Sequence, residues 1–82
     1  MAKTRLTLDH PLTLAEGQVS VLELRRPTVA DVLEIEKMGE ASDYEKDVAL
    51  TARLCGRPRE DLDGLDVTDF MKLQETMRGF FS

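Results

Sequence analysis

The sequence predicts an α+β fold: an N-terminal β-hairpin followed by a small bundle of three to four α-helices. Three observations lead there. Residues 6–14 alternate apolar and polar side chains with period two, the pattern of a half-buried strand. A glycine turn and a second β-rich run follow. Beyond Pro27 the pattern changes to capped segments with helical spacing. A chain of 82 residues is a single domain, with a radius of roughly 12 Å and one small core. We divide that domain, residues 1–82, into a hairpin (1–27) and a helical part (28–82).

In the first strand Leu6, Leu8, His10, Leu12 and Leu14 share one face, with Thr7, Asp9, Pro11 and Thr13 on the other. Pro11 cannot donate a ladder hydrogen bond, so it splits or kinks the strand and favours a sheet edge. Glu16-Gly17 supplies the turn, and Val19–Leu24 returns. Parity slips at Val21-Leu22, and either a bulge or burial on both faces accounts for it. Thr28 is the expected N-cap of the first helix, with Asp31 in its first turn. Val29, Val32, Leu33 and Ile35 form its apolar face, and Gly39 stops it. Ser42 and Glu45 have capping-box spacing. The second helix runs to about Cys55 and ends at Gly56, with Pro58 beyond. Its apolar residues cover more than one stripe, which predicts packing on two sides. After at most one helical turn around Leu62, Asp66 caps a last helix. Val67, Phe70, Met71, Leu73, Met77, Phe80 and Phe81 lie on one half of that helix.

Composition narrows the function. Apolar residues make up 41% and charged residues 33%, and the net charge is −5. These values fit a folded, soluble chain with no electrostatic footprint for nucleic acid or anionic lipid. One Cys and one His exclude an internal disulfide and the common zinc sites. No apolar run reaches membrane-span length and the N-terminus lacks a signal-peptide core, so the expectation is an intracellular protein. No nucleophile–base pair, phosphate loop or metal-ligand cluster is present. The expectation is therefore a non-enzyme without cofactor or metal. An acyl carrier role fails as well, because no serine stands in an Asp-Ser-Leu context at a helix start. Cys55 reads as a small core residue.

Three features stand out. Glu36 falls on the apolar face of the first helix, so it either sits solvated at the edge of that face or has a partner, with Arg25 or Arg26 as the candidate structural ion pair. Phe80 and Phe81 close the last helix; Phe81 suits the core better, and Phe80 an exposed anchor. Met38, Met71 and Met77 suit an adaptable groove, or simply core. Charge is uneven: residues 31–69 hold 12 acidic and five basic groups. Helix caps account for several of these acids but not for Glu60, Asp61 and Asp63.

The segment Leu22–Lys37, LELRRPTVADVLEIEK, with Leu24-Arg25-Arg26-Pro27 opening a helix, resembles the small tail assembly chaperones of contractile-tailed phages and prophages, the group called tail assembly protein E. Ala49-Leu50-Thr51-Ala52-Arg53-Leu54-Cys55-Gly56 resembles that family's Ala-Leu-x-x-Arg-Leu-x-Gly segment. Leu62, Leu65-Asp66, Asp69 and the paired phenylalanines follow in the family's order, so the resemblance spans about Leu6 to Phe81. It implies a non-catalytic protein of the host bacterial cytoplasm, absent from the mature virion. Such a protein binds the tape measure protein and keeps it soluble before tail-tube polymerisation. The resemblance also implies that longer members arise by ribosomal frameshifting, and this chain resembles the short form. On that reading the expected contact surface combines Phe70, Met77, Phe80 and Phe81 with Glu60, Asp61 and Asp63. An exposed strand edge or the paired phenylalanines would also support a homo-oligomer. The alternative is a small regulatory DNA-binding domain of helix-turn-helix type. It is disfavoured because the second helix offers only Lys46 and Arg53 among acids.

Overall fold

A computed structural model describes residues 3–81. Strands β1 (Thr4–Leu14) and β2 (Gly17–Leu24) form a two-stranded antiparallel hairpin. Helices α1 (Val29–Glu36), α2 (Asp43–Cys55) and α3 (Val67–Phe80) follow, with a 3-10 helix at Arg59–Gly64 between α2 and α3. The predicted α+β architecture is the observed one. The Cα radius of gyration is 12.4 Å.

The hairpin turns at Ala15-Glu16, and Gly17 takes φ 122°, a backbone state that residues with a Cβ rarely adopt. Its ladder is interrupted. Pairing runs from Thr4↔Leu24 to Thr7↔Val21 and resumes at Leu12↔Val19. Residues 8–11 of β1 therefore lie against Ser20 alone, and the parity slip in β2 is the imprint of this bulge. Pro11 sits inside it. The N–H groups of Asp9 and His10, which have lost their ladder partners, donate to the Asp69 carboxylate at 3.0 and 2.9 Å. Asp69 is fully buried. A carboxylate in the first turn of α3 thus completes the hydrogen bonding of a strand far away in sequence.

Helix ends follow the local signals. Ser42 Oγ accepts from the Glu45 N–H at 3.1 Å. Gly56, at φ 69°, closes α2, while the Arg57 N–H donates to the Ala52 carbonyl at 3.0 Å. Asp66 Oδ1 accepts from the Thr68 N–H at 2.9 Å. The core is mostly leucine: Leu8, Leu12, Leu22 and Leu24 from the hairpin, Leu54 from α2, and Leu73 with Phe70 and Met77 from α3. Helix α2 packs against α1, β2, the 3-10 helix and α3, as its broad apolar coverage predicts.

Helix α1 departs from expectation. Its one buried side chain is Asp31, and Val29, Val32 and Leu33 face outward. The helix is held by charge. Asp31 receives Arg25 Nη1 and Nη2 at 2.7 Å each, Arg53 Nε at 2.5 Å and the Thr28 N–H at 2.7 Å. The bidentate Arg25 contact, aided by Thr28 and Arg53 and opposed by burial, holds the Asp31 carboxyl far below the usual carboxylate range. The expected pairing with Glu36 is corrected accordingly. Arg25 turns to Asp31, Arg26 turns to the end of α3, and Glu36 is exposed. Asp31 prevails because its bond to the cap N–H already aims it at the segment carrying both arginines.

Candidate partner-binding surface

Among the described residues, the large apolar side chains that the fold leaves outside lie in three places. The first is the outer face of α1, where Val29 is 76% exposed and Leu33 accompanies it. The second is the C-terminus of α3. The Arg26 guanidinium lies 5.7 Å from the centroid of the Phe80 ring, and its Nη2 donates to the Phe80 carbonyl at 3.0 Å. That contact, with packing against the core, leaves Phe80 half-buried, whereas Phe81 is 61% exposed. The expectation for the pair is therefore reversed: Phe80 is the inner residue and Phe81 the outer one. Phe81 is the C-cap of the helix, one step past its last full turn, and from there it points away from the core stripe.

The third place is a groove of about 190 Å³ between α2, the 3-10 helix and the start of α3. Tyr44 and Val48 form one wall and Val67 the other, with Leu62, Leu65 and Phe70 below and Asp63 at the rim. The Tyr44 and Phe70 rings meet at 5.4 Å between centroids, tilted by 34°. Met71, one turn along α3 from Val67, is exposed as well. Sequence patterning placed Val67 and Met71 on the buried half of the helix. They are exposed because the hairpin and α2 cover only the stripe through Phe70, Leu73 and Met77.

The residues expected to form one contact surface are therefore spread out. Phe70 and Met77 are buried, the first also flooring the groove. Asp61 pairs with Arg57 at 3.5 Å. Glu60 and Asp63 are exposed and make no ion pair with a described residue. Asp63 lines the groove beside Val67, the first residue of α3, and Phe81 follows its last. Fourteen residues of helix, about 20 Å, separate the acidic segment from the phenylalanines.

The groups with chemical potential have structural roles. His10 is exposed and contributes its backbone N–H to the bulge. Burial pushes the Cys55 thiol up to about 11, far from a reactive thiolate. Lys72 holds the Asp9 carboxyl below its ordinary range and is itself raised by that hydrogen bond. Arg53, one of two cations on α2, is engaged by Asp31, which removes it from any recognition-helix role. Among the described residues no helix is long and apolar enough to cross a membrane, and no group of three or more His, Cys, Asp or Glu could hold a metal ion.

A family model described as phage tail assembly chaperone proteins, E, or 41 or 14, matches residues 5–82. The chain belongs to this family of tail assembly chaperones. The family is non-catalytic. Membership implies partners among tail proteins. Comparisons with curated proteins and with solved structures find no match. The pattern Leu24-Arg25-Arg26-Pro27 followed by Asp31 also gains a physical sense. Arg25 and Asp31 lock the hairpin to α1, and Arg26 ties the same segment to the end of α3.

Proposed function

We propose that this tail assembly chaperone binds the tape measure protein in the host bacterial cytoplasm and keeps it soluble until tail-tube subunits polymerise around it. Family membership supports a tail-protein partner. The observation that favours an elongated helical partner is the exposed set Val29, Leu33, Tyr44, Val67, Met71 and Phe81 on so small a domain. A long helical protein awaiting assembly presents apolar stripes, and several small apolar patches on a chaperone cover such stripes weakly and reversibly.

Phe81, Glu60 and Asp63 offer exposed atoms for the contact, Phe70 acts from the floor of the groove, and Phe80, Met77 and Asp61 support them from within. The test is co-expression of the tape measure protein with and without this chain. The proposal expects soluble tape measure protein, and its co-purification with the chaperone, only when both are made. Equal solubility in both cultures and no co-purification would overturn it.

A further inference from the structure

The groove between α2 and α3 has a defined chemistry. Six of the seven residues lining it are apolar or aromatic, and the seventh is Asp63. Its volume of about 190 Å³ suits one large apolar side chain, since a cavity of about 150 Å³ accepts a benzene ring. The tilted Tyr44–Phe70 contact sets one wall in advance. Val67 and Met71, at i and i+4, continue an exposed apolar stripe from the groove along α3. The flanking charges are mostly acidic; Arg59 of the 3-10 helix is paired with Glu45 of α2 at 3.4 Å, and Lys46 is half-buried. Asp43 and Asp47 are exposed on α2, on either side of Tyr44, and Glu60 and Asp63 are exposed on the 3-10 helix. Asp66 accepts hydrogen bonds from Thr68 at the cap of α3, which hold its carboxyl in the charged form.

We propose that this groove and stripe dock an amphipathic helix of the partner. That helix seats one leucine- or phenylalanine-sized side chain against Phe70 and presents a lysine or arginine to Asp63 and its acidic neighbours. The inference rests on the tape-measure reading for its natural partner and deepens it by stating where the partner helix lies and what charge it carries. A single anchor in an open groove gives weak, reversible binding, as a protein that must later be displaced by tube subunits requires. The acidic rim selects basic-flanked helices and rejects acidic ones.

The probe is a synthetic peptide of about 18 residues, long enough to fold as a helix on a surface, made of leucine, alanine and lysine. Its counterpart replaces every lysine by glutamate. Titrated into the ¹⁵N-labelled full chain, the lysine peptide is expected to shift the amides of Tyr44, Val48, Val67 and Met71, and the glutamate peptide to leave them in place. Val67→Glu alters a residue 62% exposed, outside the core, and is expected to weaken binding about tenfold. Asp63→Asn is expected to weaken it about threefold, by removing one screened charge contact. Thr7→Ser, at an exposed position of β1 outside all three apolar patches, leaves it unchanged. Shifts confined to α1 or Phe81, equal binding of both peptides, or no binding at all would overturn the proposal. Retention of the tape measure protein by wild type and Val67→Glu alike would overturn the groove and keep the proposed function. Groove binding of the lysine peptide without retention of the tape measure protein would do the reverse.

Discussion

Removing the Asp31 carboxylate tests how α1 is held, and its cost can be worked from the contacts. Asp31 is 1% exposed and accepts from two guanidinium groups and from the cap N–H of Thr28. Breaking a fully buried ion pair by removing one partner costs about 3–5 kcal/mol, largely for the stranded charge. That figure is too high here, because the side chains of Arg25 and Arg53 remain 37% and 40% exposed and rehydrate once the carboxylate is gone. The loss of the cap interaction costs about 1 kcal/mol. Two ion pairs discounted for solvent screening add about 0.5–1 kcal/mol each. Asp31→Ala is therefore expected to lose about 2–3 kcal/mol, or about 10–20 °C in Tm for a domain of this size. Urea denaturation followed by circular dichroism at neutral pH measures it. A loss under about 1 kcal/mol would show that α1 is held by something other than this network.

The same carboxylate gives a pH signature. Its folded pKa lies below the unfolded value, so its contribution is complete above about pH 4 and disappears as the pH falls further. The stability gap between wild type and Asp31→Asn is expected to shrink steadily in denaturant midpoints measured below pH 4 and to be constant between pH 6 and 8. Asp69→Ala removes the acceptor for two N–H groups at the β1 bulge and is expected to cost about 2–3 kcal/mol, with amide hydrogen exchange at Asp9 and His10 speeding up before the rest of the strand. Cys55, with its thiol near 11, is expected to react with a disulfide reagent at pH 8 far more slowly than free cysteine in the native protein, and at the ordinary rate in urea. Phe81→Ser is expected to leave the denaturation midpoint within about 0.5 kcal/mol, since the side chain lies outside the core.

The sequence is most legible where structure is local. Thr28 with Asp31, Ser42 with Glu45, Gly56 and Asp66 each act within one turn of their own positions, and each does in the structure what its spacing implies. Burial is different, because it depends on which neighbours the fold supplies. The apolar face of α1 has the periodicity of a core helix, yet among the described helices and strands α1 packs against α2 alone, through the side carrying Asp31 and Ile35, with Arg25 from the end of the hairpin reaching Asp31. Asp69 looks in sequence like any carboxylate favoured by a helix N-terminus. Only the hairpin's arrival beside α3 turns it into the acceptor for a bulge whose presence the slipped parity of β2 merely signals. The acidic run 60–63 and the paired phenylalanines invite grouping, but the length of α3 keeps them apart.

The central claim is that the chain works by covering apolar stripes on a tail protein. Its most direct test is co-purification of the tape measure protein with wild type and with a chain altered at all three patches, Leu33→Ser, Val67→Glu and Phe81→Ser. These positions lie outside the core. The account predicts that wild type retains soluble tape measure protein, while the triple variant folds normally and loses it to the pellet. A folded triple variant that retains the tape measure protein as well as wild type does would contradict the account.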